Sequence, residues 1–131
     1  MKRTAIIIII AINILGLCSC AGWSRQDTYR ELAWGVIHTI DWRQTRRGQE
    51  TGYIETGPAK LVIGERPGKS RVDNYFVAGY ALHALVSAAL PDEDVIFGYH
   101  VRPRQIWQYL SIGGSAYCVG NNLSVGLGFG W

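Results

Sequence analysis

The chain has 131 residues, a formal net charge of +3 and 48% hydrophobic residues, which is enough for one domain with a modest core. No concentrated basic face is evident, which argues against a nucleic-acid-binding protein. Three cysteines are too few for a zinc site built from cysteines. We therefore expect neither nucleic acid as a partner nor any cofactor.

The first 19 residues have the pattern of a secretory signal peptide. Lys2 and Arg3 precede an apolar run of about 14 residues, which is shorter than the ~20 residues that a membrane-spanning helix needs. Residues 1–19 contain two basic residues and no acidic one, so residues 20–131 have a net charge of +1. We expect residues 20–131 to be the mature protein.

The end of this run, "LCSCAG", resembles the lipobox of bacterial lipoproteins. Leu17 lies three positions before Cys20, and the small Ser19 directly precedes it, whereas bulky Leu17 directly precedes Cys18. The resemblance implies that Cys20 is acylated and anchors the protein in membrane lipid of the cell envelope. Because Ala21 differs from the aspartate of an inner-membrane retention signal, it favours the periplasmic side of the outer membrane.

The mature chain is predicted to be one small all-α domain, a bundle of three main helices between prolines. The sequences "SRQD" and "SRVD" each match a capping box, in which a serine and an acidic residue three positions later satisfy the first backbone N–H groups. Gly48 is the expected end of the first helix. The helices are predicted over about 24–47, 70–90 and 103–121.

Any β-strand is predicted to lie in one of two segments outside these helices. The 22 residues 48–69 form a long loop with five glycines and two prolines, in which "AKLVIGE" is a short strand or an apolar flap. The C-terminal "LSVGLGFGW" alternates apolar residues with Ser or Gly, which indicates a short extended tail.

The orientation and environment of the helices leave an alternative open. Leu32, Val36 and Ile40 repeat every four residues and predict an apolar stripe on the first helix. Residues 75–90 and 106–120 are apolar all round, so they form either buried bundle helices or a membrane-embedded helical hairpin.

Polar residues of the first helix form the candidate site. Trp34, His38, Asp41 and Thr45 are spaced to share one helix face, and His38 and Asp41 can hydrogen-bond or bind one ion. His83 is ionisable within an apolar helix and needs a partner, for which Asp41 and Glu55 are the candidates. This cluster is either a polar clasp that fixes helix register or a metal or acid–base site.

The segments "DWRQT", "ETGP", "RVDNYF" and "WQY" resemble a group of small lipoproteins and membrane proteins of proteobacteria and their phages. The usual asparagine of their Glu-x-Asn-Pro turn is Gly57 here, and the resemblance implies no activity.

Three functions remain open from the sequence. The first is a lipid-anchored envelope protein of structural or protein-interaction type, with another envelope protein as its possible partner and no catalytic residue. The second is a phage-encoded envelope protein that acts in infection exclusion or lysis. The third is a membrane-associated metal-binding or hydrolytic protein, with a site formed by His38, Asp41, Glu55 and His83.

Overall fold

The computed structural model describes residues 22–55, 57 and 59–128, and 70% of these are helical. The predicted all-α class is therefore confirmed. Within this part of the chain, no helix is long and apolar enough to cross a membrane. Cys20 and the signal segment lie outside the described residues. The elements are α1 (Arg25–Thr51), α2 (Lys60–Ile63), α3 (Lys69–Ala89), β1 (Asp94–Ile96), β2 (Tyr99–Val101) and α4 (Pro103–Ser124).

Helix α1 begins as the sequence predicts and ends later. Ser24 is the N-cap, and its side chain and that of Asp27 form both bonds of the capping box. The expected stop at Gly48 is wrong, because Gly48 lies buried within the helix. The left-handed residue that ends α1 is Gly52, with φ 75°, and its N–H donates to the Gly48 carbonyl.

Helix α3 begins without its predicted capping box. Its N-cap is Gly68, which has no side-chain cap. The carboxylate of Asp73 instead accepts from the indole N–H of Trp42, at 2.9 Å, and lies 3.4 Å from Arg46 Nε. A contact with α1 has therefore taken the place of a local cap. Helix α4 begins at Pro103, as predicted for a first-turn proline.

The strands lie where the sequence did not predict them. The segment expected to be a strand or flap forms the single helical turn α2, and α4 continues to Ser124 into the expected tail. The sheet is an antiparallel hairpin in which Asp94 pairs with Val101. At its tip, Phe97 and Gly98 both have positive φ, the conformation of a two-residue hairpin turn that matches strand twist.

The three long helices pack with α3 antiparallel to α1 and α4, while α1 and α4 run parallel to each other. Contacts between α1 and α3 pair later residues of α3 with earlier residues of α1, from Phe76 beside His38 to Ser87 beside Glu31. Contacts with α4 run in the opposite order along α1, from Gln108 beside Glu31 to Asn122 beside Asp41. The beginnings of α1 and α4 and the end of α3 therefore meet at one end of the bundle.

The distribution of polar and apolar side chains is the reverse of the prediction for α1. Leu32 and Val36 of the apolar stripe are each 62% exposed. One small apolar cluster is buried, formed by Ile63, Val72 and Phe76. Most other buried side chains are polar or charged: Asp27, His38, Gln44, Thr45, His83, Ser87, Arg104, Gln108 and Asn122.

Candidate functional site

The inner face of α1 is a polar and aromatic seam. Its members recur at alternating spacings of four and three, which keeps them on one side of the helix. Trp34, His38 and Thr45 are buried on this face, and Asp41 is partly buried between them. The face begins two turns earlier than the predicted cluster, at Asp27, and continues through Glu31. All six residues therefore point toward α3 and α4.

His83 is buried, with 4% of its surface exposed, and its acidic partner is Glu31. The expected partners Asp41 and Glu55 are wrong. Nδ1 of His83 lies 3.0 Å from Oε2 of Glu31. Glu31 Oε1 accepts from the Ser87 hydroxyl at 2.6 Å and from Gln108 Nε2 at 2.9 Å. We call these four residues the Glu31 network.

Glu31 is held in its ionised form within this network. Burial alone would raise the pKa of Glu31, but hydrogen bonds from His83 and Ser87 outweigh it and leave the pKa below its ordinary value. A carboxylate has no proton to donate, so His83 donates from Nδ1. The Nε2 atom of His83 therefore presents a lone pair when the ring is neutral.

A second buried group, Arg104, fastens the end of the bundle next to the Glu31 network. Arg104 is 2% exposed. Its Nε donates to the carbonyl of Ser87 at 3.0 Å, its Nη2 to that of Leu90 at 2.8 Å and its Nη1 to that of Gly22 at 3.1 Å. Asp27 lies 3.7 Å away and supplies the opposite charge. This guanidinium thus satisfies backbone carbonyls at the end of α3 and just before α1.

Four aromatic rings stack through the centre of the bundle. His83 stacks on Trp34, with 3.7 Å between ring centroids and 8° between planes, and on Trp107 at 5.2 Å. Trp34 also stacks on His38 at 4.6 Å. We call Trp107, His83, Trp34 and His38 the aromatic column. Three of its members, Trp34, His38 and His83, belong to the cluster predicted from sequence.

His38 and Asp41 do not form the predicted hydrogen bond. His38 Nε2 donates to the Phe76 carbonyl at 3.2 Å, and burial lowers the pKa of His38 to about 4, so the ring is neutral. Asp41 accepts from Asn122 at 2.8 Å. Burial, followed by the charge of Glu55, raises the pKa of Asp41 to about 6.

Glu55 lies in the loop after α1, where its carboxylate accepts from the Gly57 N–H at 2.8 Å. It acts on Asp41 through its charge, whereas the acidic partner of His83 is Glu31. Among the residues that the structure describes, no group of three or more His, Cys, Asp or Glu side chains could hold a metal ion. The predicted set His38, Asp41, Glu55 and His83 is thus divided between separate partners.

Comparison with protein-family models, with curated proteins and with solved structures finds no match to this chain. The chemistry of the site must therefore be inferred from its own geometry.

The Glu31 network differs from a nucleophilic triad in one decisive contact. In a triad, the histidine takes the serine proton on one nitrogen while the acid binds the other. Here the Ser87 hydroxyl donates to Glu31 itself, and the Ser87 oxygen lies 3.5 Å from the same nitrogen, Nδ1, that faces Glu31. The arrangement orients His83 and holds the helices in register; it does not activate Ser87.

A cavity of about 280 Å³ opens beside the aromatic column. It is lined by residues of α1, α3 and α4: Trp34, His38, Asp41, Tyr75, Phe76, Gly79, Leu82, His83, Trp107, Ser111, Gly114, Ser115 and Cys118. Two of the rings in its wall, His83 and Trp107, each carry a buried nitrogen with no hydrogen-bond partner among the described residues: His83 Nε2 and Trp107 Nε1.

Sequence reasoning missed Glu31, Ser87, Arg104 and Gln108. The signal that could have found them is spacing. Glu31 lies three residues before Trp34, Ser87 four after His83, and Gln108 four after Arg104, each one helical turn along the same face. A pair of inward-facing residues one helical turn apart was therefore present in each of the three long helices.

Proposed function

We propose that this protein is a lipid-anchored cell-envelope protein that binds the apolar part of another envelope protein. In this proposal Cys20 carries the acyl chains, on the periplasmic side of the outer membrane, and the helical bundle is the binding domain. The observation that carries the proposal is an exposed apolar groove. The groove lies at the same end of the bundle as Gly22, where the described chain begins.

The groove lies between the hairpin and the first turns of α4 and has a volume of about 560 Å³. Its lining is apolar and aromatic: Ile96, Tyr99, Val101, Pro103, Ile106, Trp107 and Leu110. Leu110 is 69% exposed, and Phe97 at the hairpin tip is 96% exposed. Exposed apolar surfaces of this kind are typical of interaction sites, with aromatic side chains as anchors.

The position of the groove supports a membrane-proximal partner. Arg104 binds the carbonyls of Gly22 and Leu90, which places the start of the described chain beside the end of α3, from which the hairpin follows. Ser24 lies four positions after Cys20, a reach of at most about 14 Å. A partner in this groove therefore lies close to the lipid surface, where transmembrane or lipid-anchored proteins present apolar segments.

The outward apolar residues of the helices support the same assignment. Leu32 and Val36 on α1 and Leu82 and Leu85 on α3 are all more than half exposed. In water such a surface carries a cost, because its apolar area stays exposed and forgoes the hydrophobic stabilisation that burial would give. An envelope location, next to lipid and other apolar proteins, reduces that cost.

Site-specific photo-cross-linking in cells tests the proposal. A photoreactive amino acid replaces Leu110 in the groove; the matched control replaces Tyr117, which lies on the same helix outside the groove and is 72% exposed. We expect a discrete protein adduct from position 110 that is absent from position 117. The Cys20→Ser variant should lose this adduct. Lipid adducts alone, or the same adducts from both positions, would contradict the proposal.

A further inference from the structure

The cavity beside the aromatic column is distinct from the groove between the hairpin and α4, although Trp107 contributes to both. At about 280 Å³ it is larger than a cavity of roughly 150 Å³, which already accepts benzene. A ligand with one six-membered ring and a small substituent therefore fits its volume.

Two unsatisfied nitrogen atoms specify the polar part of such a ligand. His83 Nε2 and Trp107 Nε1 are buried and have no hydrogen-bond partner among the described residues. Buried polar atoms are nearly always hydrogen-bonded, so an unpaired one needs an explanation. Here both atoms belong to residues that line the same cavity, and their rings are in contact.

The two nitrogen atoms are complementary in what they require. Trp107 Nε1 is a donor only. The neutral ring of His83 donates from Nδ1 to Glu31, and its Nε2 is then an acceptor. The smallest group that both accepts and donates a hydrogen bond is a hydroxyl. Glu31, Ser87 and Gln108 fix the orientation of the His83 ring and thus its acceptor.

The walls specify the rest of the ligand. Trp34, Tyr75 and Phe76 present aromatic surface to the cavity. Burial raises the pKa of Tyr75 and of Cys118, and the nearby charge of Asp41 raises both further. The pKa of Cys118 rises to about 11. The cavity therefore disfavours an additional negative charge, and a neutral ring is favoured over a carboxylate.

We propose that this cavity is a binding site for a small neutral phenol or aromatic alcohol, with its hydroxyl bound by His83 Nε2 and Trp107 Nε1 and its ring against Trp34 and Phe76. The site shares Trp107 with the groove, but the proposal requires neither a partner in the groove nor the acyl anchor.

Titration of the full chain, purified from membranes in detergent, tests this proposal with phenol as the probe and benzene as its hydroxyl-free counterpart. Calorimetry gives the two affinities, and the indole N–H resonance of Trp107, assigned through its loss in Trp107→Phe, reports the location. We expect phenol to bind about tenfold more tightly than benzene. We also expect phenol to shift the Trp107 resonance saturably.

Three variants separate this site from detergent partitioning. A Cβ at Gly114, which lines the cavity, meets open space, and so does a Cβ at Gly113, which does not line it. Gly114→Leu should abolish binding of both probes, whereas Gly113→Leu should retain it in the same detergent. Trp107→Phe keeps an aromatic ring and removes the N–H, so it should lower the preference for phenol several-fold.

Equal affinities for phenol and benzene would overturn the proposal, as would equal binding by Gly114→Leu and Gly113→Leu, or no saturable shift. Circular dichroism shows whether each variant folds. If Gly114→Leu does not fold, Trp107→Phe decides the question: an unchanged preference for phenol refutes the assignment, and a reduced one supports it.

Discussion

Replacing Glu31 by alanine should destabilise the fold strongly, because its carboxylate is shared by three buried donors. These are His83 Nδ1 at 3.0 Å, Ser87 Oγ at 2.6 Å and Gln108 Nε2 at 2.9 Å. A buried donor left without its acceptor costs about 1–3 kcal/mol. The loss in the free energy of unfolding for Glu31→Ala would therefore be at most about three times that range.

The surrounding residues lower this bound. Gln108 Nε2 also lies 3.5 Å from the Asp27 carbonyl, and the Ser87 hydroxyl lies 3.5 Å from His83 Nδ1. After the substitution, His83 can move its proton to Nε2 and accept from Ser87 instead. We therefore expect a loss of about 3 kcal/mol in the free energy of unfolding, at the lower end of the 3–5 kcal/mol for breaking a buried ionic network.

Denaturant unfolding in mild detergent, followed by circular dichroism, measures this loss. The matched control is Glu50→Ala, which removes an acid of α1 from an exposed pair, Glu50 Oε1 to Lys69 Nζ at 2.6 Å. Exposed pairs contribute little, so we expect no measurable change there. The double variant Glu31→Ala/His83→Leu should lose less than the sum of its single variants, since the orphaned histidine is gone. Equal midpoints for Glu31→Ala and Glu50→Ala, or strict additivity, would refute the reasoning.

Three further predictions concern titration, the buried guanidinium and the anchor. Burial raises the pKa of Asp41 from 3.8 to about 6, so its ionisation lowers stability as the pH rises through that window; Asp41→Asn should be more stable than wild type by roughly 2 kcal/mol at neutral pH and equal to it below pH 4. Burial lowers the pKa of His38 from 6.5 to about 4, so stability is lost as the pH falls through that interval. In wild type the opposite pH dependence of Asp41 partly cancels this loss. Unfolding curves of Asp41→Asn recorded from pH 6.5 to 4 should therefore show the loss of stability due to His38 more clearly. Arg104→Lys should lose about 2–4 kcal/mol, because one ammonium group cannot replace three guanidinium nitrogens that bind separate carbonyls, and a Lys variant as stable as wild type in denaturant would contradict this. Mass spectrometry of the N-terminal peptide should find acylation on Cys20, and acylation on Cys18 would refute the lipobox assignment.

Local features of the fold could be predicted from the sequence. The capping box of Ser24 and Asp27 and the first-turn position of Pro103 involve residues within four positions of each other, so their geometry depends little on the rest of the chain. The second box failed because Asp73 is within reach of Trp42, 31 positions away. A distant partner competed with the local one, and single-sequence patterns do not register such partners.

The inner face of α1 shows a second limit of sequence reasoning. The apolar stripe at Leu32 and Val36 was expected to be buried because hydrophobic burial normally selects the inner face. The structure buries His38 and Thr45 instead: His38 donates to the Phe76 carbonyl on α3, and Thr45 hydrogen-bonds with Asp41 on the same helix. Spacing alone grouped four residues of this helix: Trp34, His38, Asp41 and Thr45. Helix geometry places them on one face whatever medium surrounds the bundle. The choice of which face points inward does depend on it.

The hairpin was missed for a different reason. Its turn, Phe97–Gly98, lacks the Asn-Gly or Asp-Gly pair that usually marks a two-residue connection. Phe97 adopts φ 53°, a conformation uncommon for a residue with a bulky side chain. No local preference therefore pointed to a turn at this position.

The bonds of Arg104 determine how mechanical tension would enter this domain. If Cys20 carries the proposed anchor, a pull on it would reach the described chain at Gly22, whose carbonyl is held by Arg104 Nη1. The same guanidinium holds the carbonyls of Ser87 and Leu90 at the end of α3. Tension is thereby shared among α1, α3 and α4 before any turn of α1 is extended. The bundle would resist such a pull as one body until the Arg104 contacts break, and α1 would begin to peel away only after that.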